Sequence, residues 1–282
     1  MYELSVKNES GDVLNISTSK DYIVYRIDGL TPPNATISTS VNAVDDGSKI
    51  NNSRLESRNI VIYTTIEGDV EKNRINLYKY FTPKSKVTLM FKNGTRDVTI
   101  DGVVELIECD LFTNRQIAQI SIICPDPYFR SSESYTESFS DVQSLFSFPF
   151  AIAESGIPLS SISTNVRKSI IYTGDVKAGI IIELFSNGTV VNPIIYDVLN
   201  KTQMGLNFTM QESDKLIINT NQNQKSITLV RNGVSTNALG YLIPNSSWLA
   251  LATGDNVFTY DAESGNSYLQ ITFTTSLLYG GV

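Results

Sequence analysis

Few side chains in this sequence are of a type and spacing that could do chemistry. Two carboxylate pairs, Glu105 with Glu108 and Asp255 with Asp261, come nearest to the general acid and base that a glycosidase holds about 5–10 Å apart across a cleft. Three apart on a strand, Glu105 and Glu108 point to opposite faces. Asp255 falls in a turn, so these acids are expected to be solvated surface. The chain of 282 residues has no histidine, which removes Ser-His-Asp triads, Cys-His dyads, His-ligated zinc and imidazole bases. Its two cysteines, Cys109 and Cys124, match no metal-ligand spacing. A hairpin centred near Asn114 would set Cys109 opposite Ala118 and not Cys124, so the expectation is two reduced, packed thiols. No catalysis, cofactor or metal is expected.

Other candidates thin out similarly. Trp248, the sole tryptophan, sits in Ser247-Trp248-Leu249-Ala250-Leu251, where alternation pairs it with Ala250 and Ala252. Core packing is expected there, against stacking on a sugar. Asn93-Gly94-Thr95 and Asn187-Gly188-Thr189 match glycan acceptors only by formula, and neither phosphate-cradling glycine motif occurs. A formal charge of -7 and a pI near 4.8 leave no electrostatic footprint for nucleic acid or an anionic membrane. The opening Met1-Tyr2-Glu3-Leu4-Ser5 lacks a signal-peptide pattern, and no apolar run approaches a membrane span. A cytoplasmic chain is the expectation.

The elements that would position these residues are mainly strands. Lys86 to Phe91, a type I′ turn at Asn93-Gly94, and Arg96 to Ile100 read as a hairpin. A second turn at Asp101-Gly102 leads into Val103 to Cys109, and Gln116 to Cys124 completes a meander of four strands. One helix fits between Asp69 and Pro83, with Val70, Arg74, Leu77, Tyr78 and Phe81 along one face, Asp69 as cap and Pro83 as stop. Arg58 to Ile66 reads as the strand feeding it. The prolines of Cys124-Pro125-Asp126-Pro127 end the meander. Residues 1–130 form the expected first domain, 131–148 a Ser-, Glu- and Phe-rich linker, and 149–282 a second domain. Short strands recur there every eight to twelve residues, with turns at Asn187-Gly188, Asn232-Gly233, Gly254-Asp255 and Gly265-Asn266, which predicts an antiparallel sandwich.

Several pieces, in order and spacing, resemble one family. Gly29-Leu30-Thr31-Pro32-Pro33, Asp46-Gly47-Ser48, Arg58-Asn59-Ile60-Val61-Ile62, the stretch Asn73 to Lys84, and Cys124-Pro125-Asp126-Pro127-Tyr128-Phe129 look like the first half of the distal tail protein (Dit) family of long non-contractile-tailed bacteriophages. In the second half, Tyr172 to Gly179, Asn192-Pro193-Ile194-Ile195, Lys215 to Thr220, Trp248 to Asn256 and Tyr279-Gly280-Gly281-Val282 continue the likeness. The resemblance implies a β-barrel-like ring domain with one helix followed by a galectin-like antiparallel β-sandwich. It implies a hexameric ring at the virion tail tip, assembled in the host cytoplasm, that adapts the major tail protein to the tail-associated hub or lysin protein. In some relatives the ring also holds receptor-binding proteins. An acidic ring suits a conduit along which DNA slides without specific binding. A carbohydrate-binding module for a bacterial wall polymer is the rival reading.

A ring of this kind needs two complementary surfaces on each copy. Residues 31–57 are too polar and irregular for a core, and read as an extended arm between protomers, with a mobile loop as the alternative. The candidate contacts are Pro32, Pro33, Asp46, Lys49, Arg54 and Arg58, with Asp45 and Gly47 beside them.

Overall fold

The computed structural model describes residues 2–41, 46–113, 115–144, 160–164 and 167–282. It divides into two units: Met1–Glu133 with Leu278–Val282, and Ser134–Leu277. Unit 2 is thus inserted into unit 1, which owns both ends of the chain.

Unit 1 contains β1 (Glu3–Asn8), β2 (Val13–Asn15), β3 (Tyr22–Asp28), β4 (Ala35–Ser40), β5 (Lys49–Leu55), β6 (Arg58–Ile66), α1 (Val70–Tyr80), β7 (Lys86–Lys92), β8 (Asp97–Cys109) and β9 (Ile117–Cys124), and it takes in the start of β10 (Phe129–Ser138). Its antiparallel sheet runs β2-β1-β7-β8-β9-β6-β3, and among the described strands β4 pairs with β5 alone. Alternation along these strands sends Leu4, Val6, Val87, Leu89, Phe91, Val98, Ile100, Ile120 and Ile122 into one core. Helix α1 starts as its sequence predicts: the Asp69 carboxylate accepts from the Lys72 amide at 3.3 Å. It buries Leu77, with Phe81 following at its C-cap.

In unit 1 two turn expectations need correcting. Asp101-Gly102 is no turn, because β8 continues unbroken through it, pairing with β7 up to Val103 and with β9 beyond. The meander therefore has three strands. Glycine is required there for space: a Cβ would lie 2.5 Å from Ile122 Cγ2 and 2.9 Å from Cys124 Sγ. At Asn93-Gly94 the β7–β8 connection is four residues long, Lys92 facing Asp97, and neither residue has positive φ. The Asn93 side chain itself accepts from the amides of Thr95 (2.9 Å) and Arg96 (2.8 Å), an Asx turn in place of a type I′ turn. The thiol reading holds: Cys109 faces Ala118, and both cysteines are free. Asn114 itself lies outside the described residues.

Unit 2 completes β10 and adds β11 (Ser140–Ser144), β12 (Ser160–Thr164), β13 (Arg167–Tyr172), β14 (Ala178–Gly179), β15 (Ile181–Ser186), β16 (Val190–Asp197), β17 (Thr202–Gly205), β18 (Thr209–Met210), β19 (Lys215–Asn219), β20 (Ser226–Arg231), β21 (Val234–Asn237), β22 (Ala250–Leu251), β23 (Gly254–Ser264) and most of β24 (Leu269–Tyr279). The stretch expected as a linker, 131–148, is strand over most of its length to Ser144, its remaining residues lying outside those described. One sheet runs β13-β23-β16-β17 and the other β24-β15-β19-β20-β21. Phe258 and Tyr260 of β23 meet Phe273 of β24 and Phe139, with ring centroids 5.0–5.7 Å apart and edge-on geometry. That aromatic layer makes the two sheets a sandwich. Asn232-Gly233 forms the two-residue turn its sequence signals, with φ of 52° and 77°.

Two outcomes follow from this packing. Gly102→Ala should cost about 1–3 kcal/mol by overpacking against Ile122 and Cys124, measured by denaturant unfolding. Burial pushes the Cys124 thiol up to about 12 and raises that of Cys109 as well. Near pH 8 the Cys124 thiolate fraction is about one in ten thousand. A chromogenic disulfide reagent should therefore leave Cys124 untouched in the native chain and titrate both thiols after denaturation.

Candidate assembly surface

The catalytic candidates stay apart. Glu105 occupies a bulge in β8 and accepts from the Ser121 hydroxyl at 2.7 Å, while Glu108 lies exposed further along the strand. Asp255 is not in a turn but in β23, with Asp261 six residues along it, both exposed. Trp248 is only half-buried and does not belong to the core expected for it, and Lys225 Nζ stands 5.4 Å from its ring centroid. Among the described residues no group of three or more cysteines and acids could hold a metal.

The arm is a β-hairpin. In β4 and β5 every residue is exposed, including Ile37 (55%) and Ile50 (64%). Facing pairs Ala35–Leu55, Ile37–Ser53 and Thr39–Ile50 define one face, and Thr36–Arg54, Ser38–Asn52 and Ser40–Lys49 the other. A bulge at Asn51 makes this possible. Ile50 lies five residues from Leu55 and would otherwise point to the opposite face; the extra residue returns it to the side of Ile37 and Leu55. Asn51 turns to the polar side, where the Ser40 hydroxyl donates to it at 3.1 Å. The result is a two-faced ribbon, apolar through Ala35, Ile37, Ile50 and Leu55, and polar through Thr36, Ser38, Lys49 and Arg54.

Of the predicted contact residues, Lys49 and Arg54 lie on this hairpin, Asp46 is exposed beyond β4, and Asp45 falls outside the described residues. Pro32 and Pro33 form the hairpin's root with Asn34 and Glu56. Thr36 donates to the Glu56 carboxylate there.

Arg58 differs from the expectation of an exposed contact. It is 2% exposed, buried within its own protomer. Its Nε donates to Pro127 O at 2.9 Å, Nη1 to Thr31 O at 2.6 Å and to Gly29 O, and Nη2 to Gly280 O at 2.6 Å. The guanidinium carbon lies 4.6 Å from the centroid of the Phe129 ring. Burial lowers its pKa from the usual arginine value. Sequence reasoning could not see this, because the four carbonyls come from three distant segments. Gly29 has φ of +88°, and a Cβ there would lie 2.1 Å from Asn59 O, so only glycine brings its carbonyl in.

The chain end is held by the same cluster. Arg96 donates to Gly281 O and stacks over Tyr279 at 4.3 Å, and the Val282 amide donates to Leu30 O at 3.1 Å. Beside it, Tyr2, Leu4, Ser17, Val24, Tyr25, Arg26, Ile27, Leu30, Phe91 and Val282 line a mainly apolar groove of about 450 Å³.

Residues 173–276 match the family described as siphovirus-type tail component, C-terminal domain (SPP1_Dit). No curated protein matches the sequence. Among solved structures, that of phage SPP1 Dit, described as a paradigm of the hub adsorption apparatus in phages infecting Gram-positive bacteria, has a TM-score of 0.68 at 11% identity, covering 98% of each chain. A chain of the phage P2 baseplate in its activated conformation with calcium has a TM-score of 0.52 at 10% identity, covering 97% of this chain and 98% of that one. The chain thus has the fold of SPP1 Dit over nearly its whole length.

Arg58→Met should destabilise unit 1 by about 2–4 kcal/mol, because it strips the donors from buried carbonyls and removes the charge over Phe129. Arg54→Met, on the exposed hairpin, should stay within about 0.5 kcal/mol of the unaltered chain. Urea unfolding of the two variants side by side checks the contrast.

Proposed function

We propose that this chain is a structural component of the tip of a long non-contractile phage tail, six copies closing a ring that adapts the tail tube to the hub below it. The observation that carries the reading is the agreement of fold with SPP1 Dit along 98% of both chains, together with the match of residues 173–276 to a siphovirus-type tail component. Unit 1 supplies the ring contacts, and the sandwich of unit 2 serves as an attachment point for the hub or lysin protein and for receptor-binding proteins. Assembly takes place in the host cytoplasm, and the finished part resides in the virion. No catalytic step belongs to it.

The physics of the arm supports this reading. A closed ring of identical copies uses a heterologous contact, one surface of each copy gripping a different surface of the next. A ribbon exposing both backbone edges and an apolar face is poorly stable by itself and suits strand addition to a neighbour. Pro32, Pro33, Asp46, Lys49 and Arg54 are the proposed contacts on it. Arg58 acts from inside the protomer by fixing the root from which the hairpin springs.

Light scattering on the purified chain should give six times the 31.2 kDa monomer mass at high concentration. Lys49→Glu with Arg54→Glu should shift it towards monomer without loss of strand signal in circular dichroism. A mass that stays at one chain for the unaltered protein at every concentration, with or without tail-tube protein, would contradict the ring.

A further inference from the structure

Unit 1 carries two apolar surfaces that nothing in the described chain covers. One is the hairpin face of Ala35, Ile37, Ile50 and Leu55. The other is the groove beside the chain end, floored by Leu4, Leu30 and Phe91. The groove lies between the start of β1 with Ser17 on one side and β3 on the other. Strand β3 pairs only with β6 among the described strands, so its outer edge offers free backbone donors and acceptors, and its exposed Ile23 and Tyr25 extend the apolar surface.

We infer that the apolar face of the β4–β5 hairpin of one copy docks in the Tyr2/Tyr25 groove of the next copy, one hairpin edge adding to β3. This rests on the ring reading above and names the surface that receives the arm. Three observations select a second copy as the occupant. The surfaces are complementary in form, a two-stranded ribbon and a slot bordered by an open strand edge. They are different patches of one chain, the arrangement that a heterologous, ring-closing contact requires. They also match in charge. Tyr25 borders a second depression that contains Glu108 and Asp110, whereas the hairpin carries Lys49 and Arg54, and none of these four has an ion-pair partner among the described residues. The remaining cation at the groove, Arg26, is already neutralised by Asp28 at 2.8 Å. The Asn51 bulge gives the specificity: without it Ile50 would face away from the slot.

The test uses two full-length chains, both with Cys109→Ser so that only the introduced thiol is reactive beside the buried Cys124. One carries Ser53→Cys, at the centre of the hairpin's apolar face. The other carries Tyr2→Cys, at the groove rim, and a terminal tag that changes its mass. Because each chain has one introduced thiol, a disulfide between them is necessarily intermolecular. Mild oxidation of the mixture should give the heterodimer in about tenfold excess over either homodimer, as docking raises the local thiol concentration to about millimolar. In parallel, Ile37→Asp with Ile50→Asp should reduce the light-scattering mass to that of one chain while the thermal unfolding midpoint is unchanged, since both side chains are exposed in the protomer. Heterodimer no more abundant than homodimers, or an assembly that survives the double aspartate variant, would overturn the docking and leave the ring standing. No assembly of the unaltered chain and no heterodimer would overturn both.

Discussion

Arg58 brings a charge into a place with almost no water and, in place of a carboxylate, surrounds it with the carbonyls of Gly29, Thr31, Pro127 and Gly280 and the face of Phe129. Removing an ion from water is costly unless its hydrogen-bonding capacity is met. Arginine suits the position because its fork presents several fixed donors at once and stacks on a ring, which a lysine ammonium cannot reproduce. Three segments far apart in sequence must arrive together for that to happen: the turn after β3, the proline pair after β9, and the last residues of the chain. The cluster converts one unfavourable burial into a requirement on the order of the whole of unit 1.

Two structural consequences follow from that requirement. The root of the β4–β5 hairpin is fixed on both sides, by Gly29 and Thr31 before it and by Arg58 after it. A ribbon that exposes all its own side chains therefore still leaves the sheet in a defined direction. The chain end is also returned to unit 1, with Arg96 and the Val282 amide completing its attachment. Unit 2 is thus held by the chain at both of its ends, in β10 and in β24. For a part proposed to bear load between a tube and its attachments, two covalent connections resist separation better than one.

Much of the fold was legible because local rules decide it. The Cys109–Ala118 register follows from counting along a hairpin, the Asp69 cap from its position before an apolar stripe, and the strands of unit 2 from their spacing between turn signals such as Asn232-Gly233. The failures have physical causes as well. Glycine after aspartate usually marks a turn, whereas Gly102 makes room for Ile122 and Cys124 from a neighbouring strand. The hairpin reads as irregular in sequence because Ile50 and Leu55, five positions apart, share a face only through the Asn51 bulge, which breaks the period of two. Arg58 looked like an exposed contact because nothing near it in sequence reveals the carbonyls around it. The motif pieces Gly29 to Pro33, Arg58, Pro127 to Phe129 and Gly280-Gly281 were visible as separate strings. Their convergence on one guanidinium was not.

Hydrogen exchange at the Val282 amide tests that convergence most directly. In the unaltered chain this terminal amide, bonded to Leu30 O, should exchange as slowly as the amides of β6 and not at the rate of a frayed end. In Arg58→Lys it should accelerate to the free-chain rate while amides in β7 and β8 stay protected. Rapid exchange at Val282 in the unaltered chain, or protection unchanged by the lysine, would contradict the claim that one buried guanidinium binds the arm's root and the chain end together.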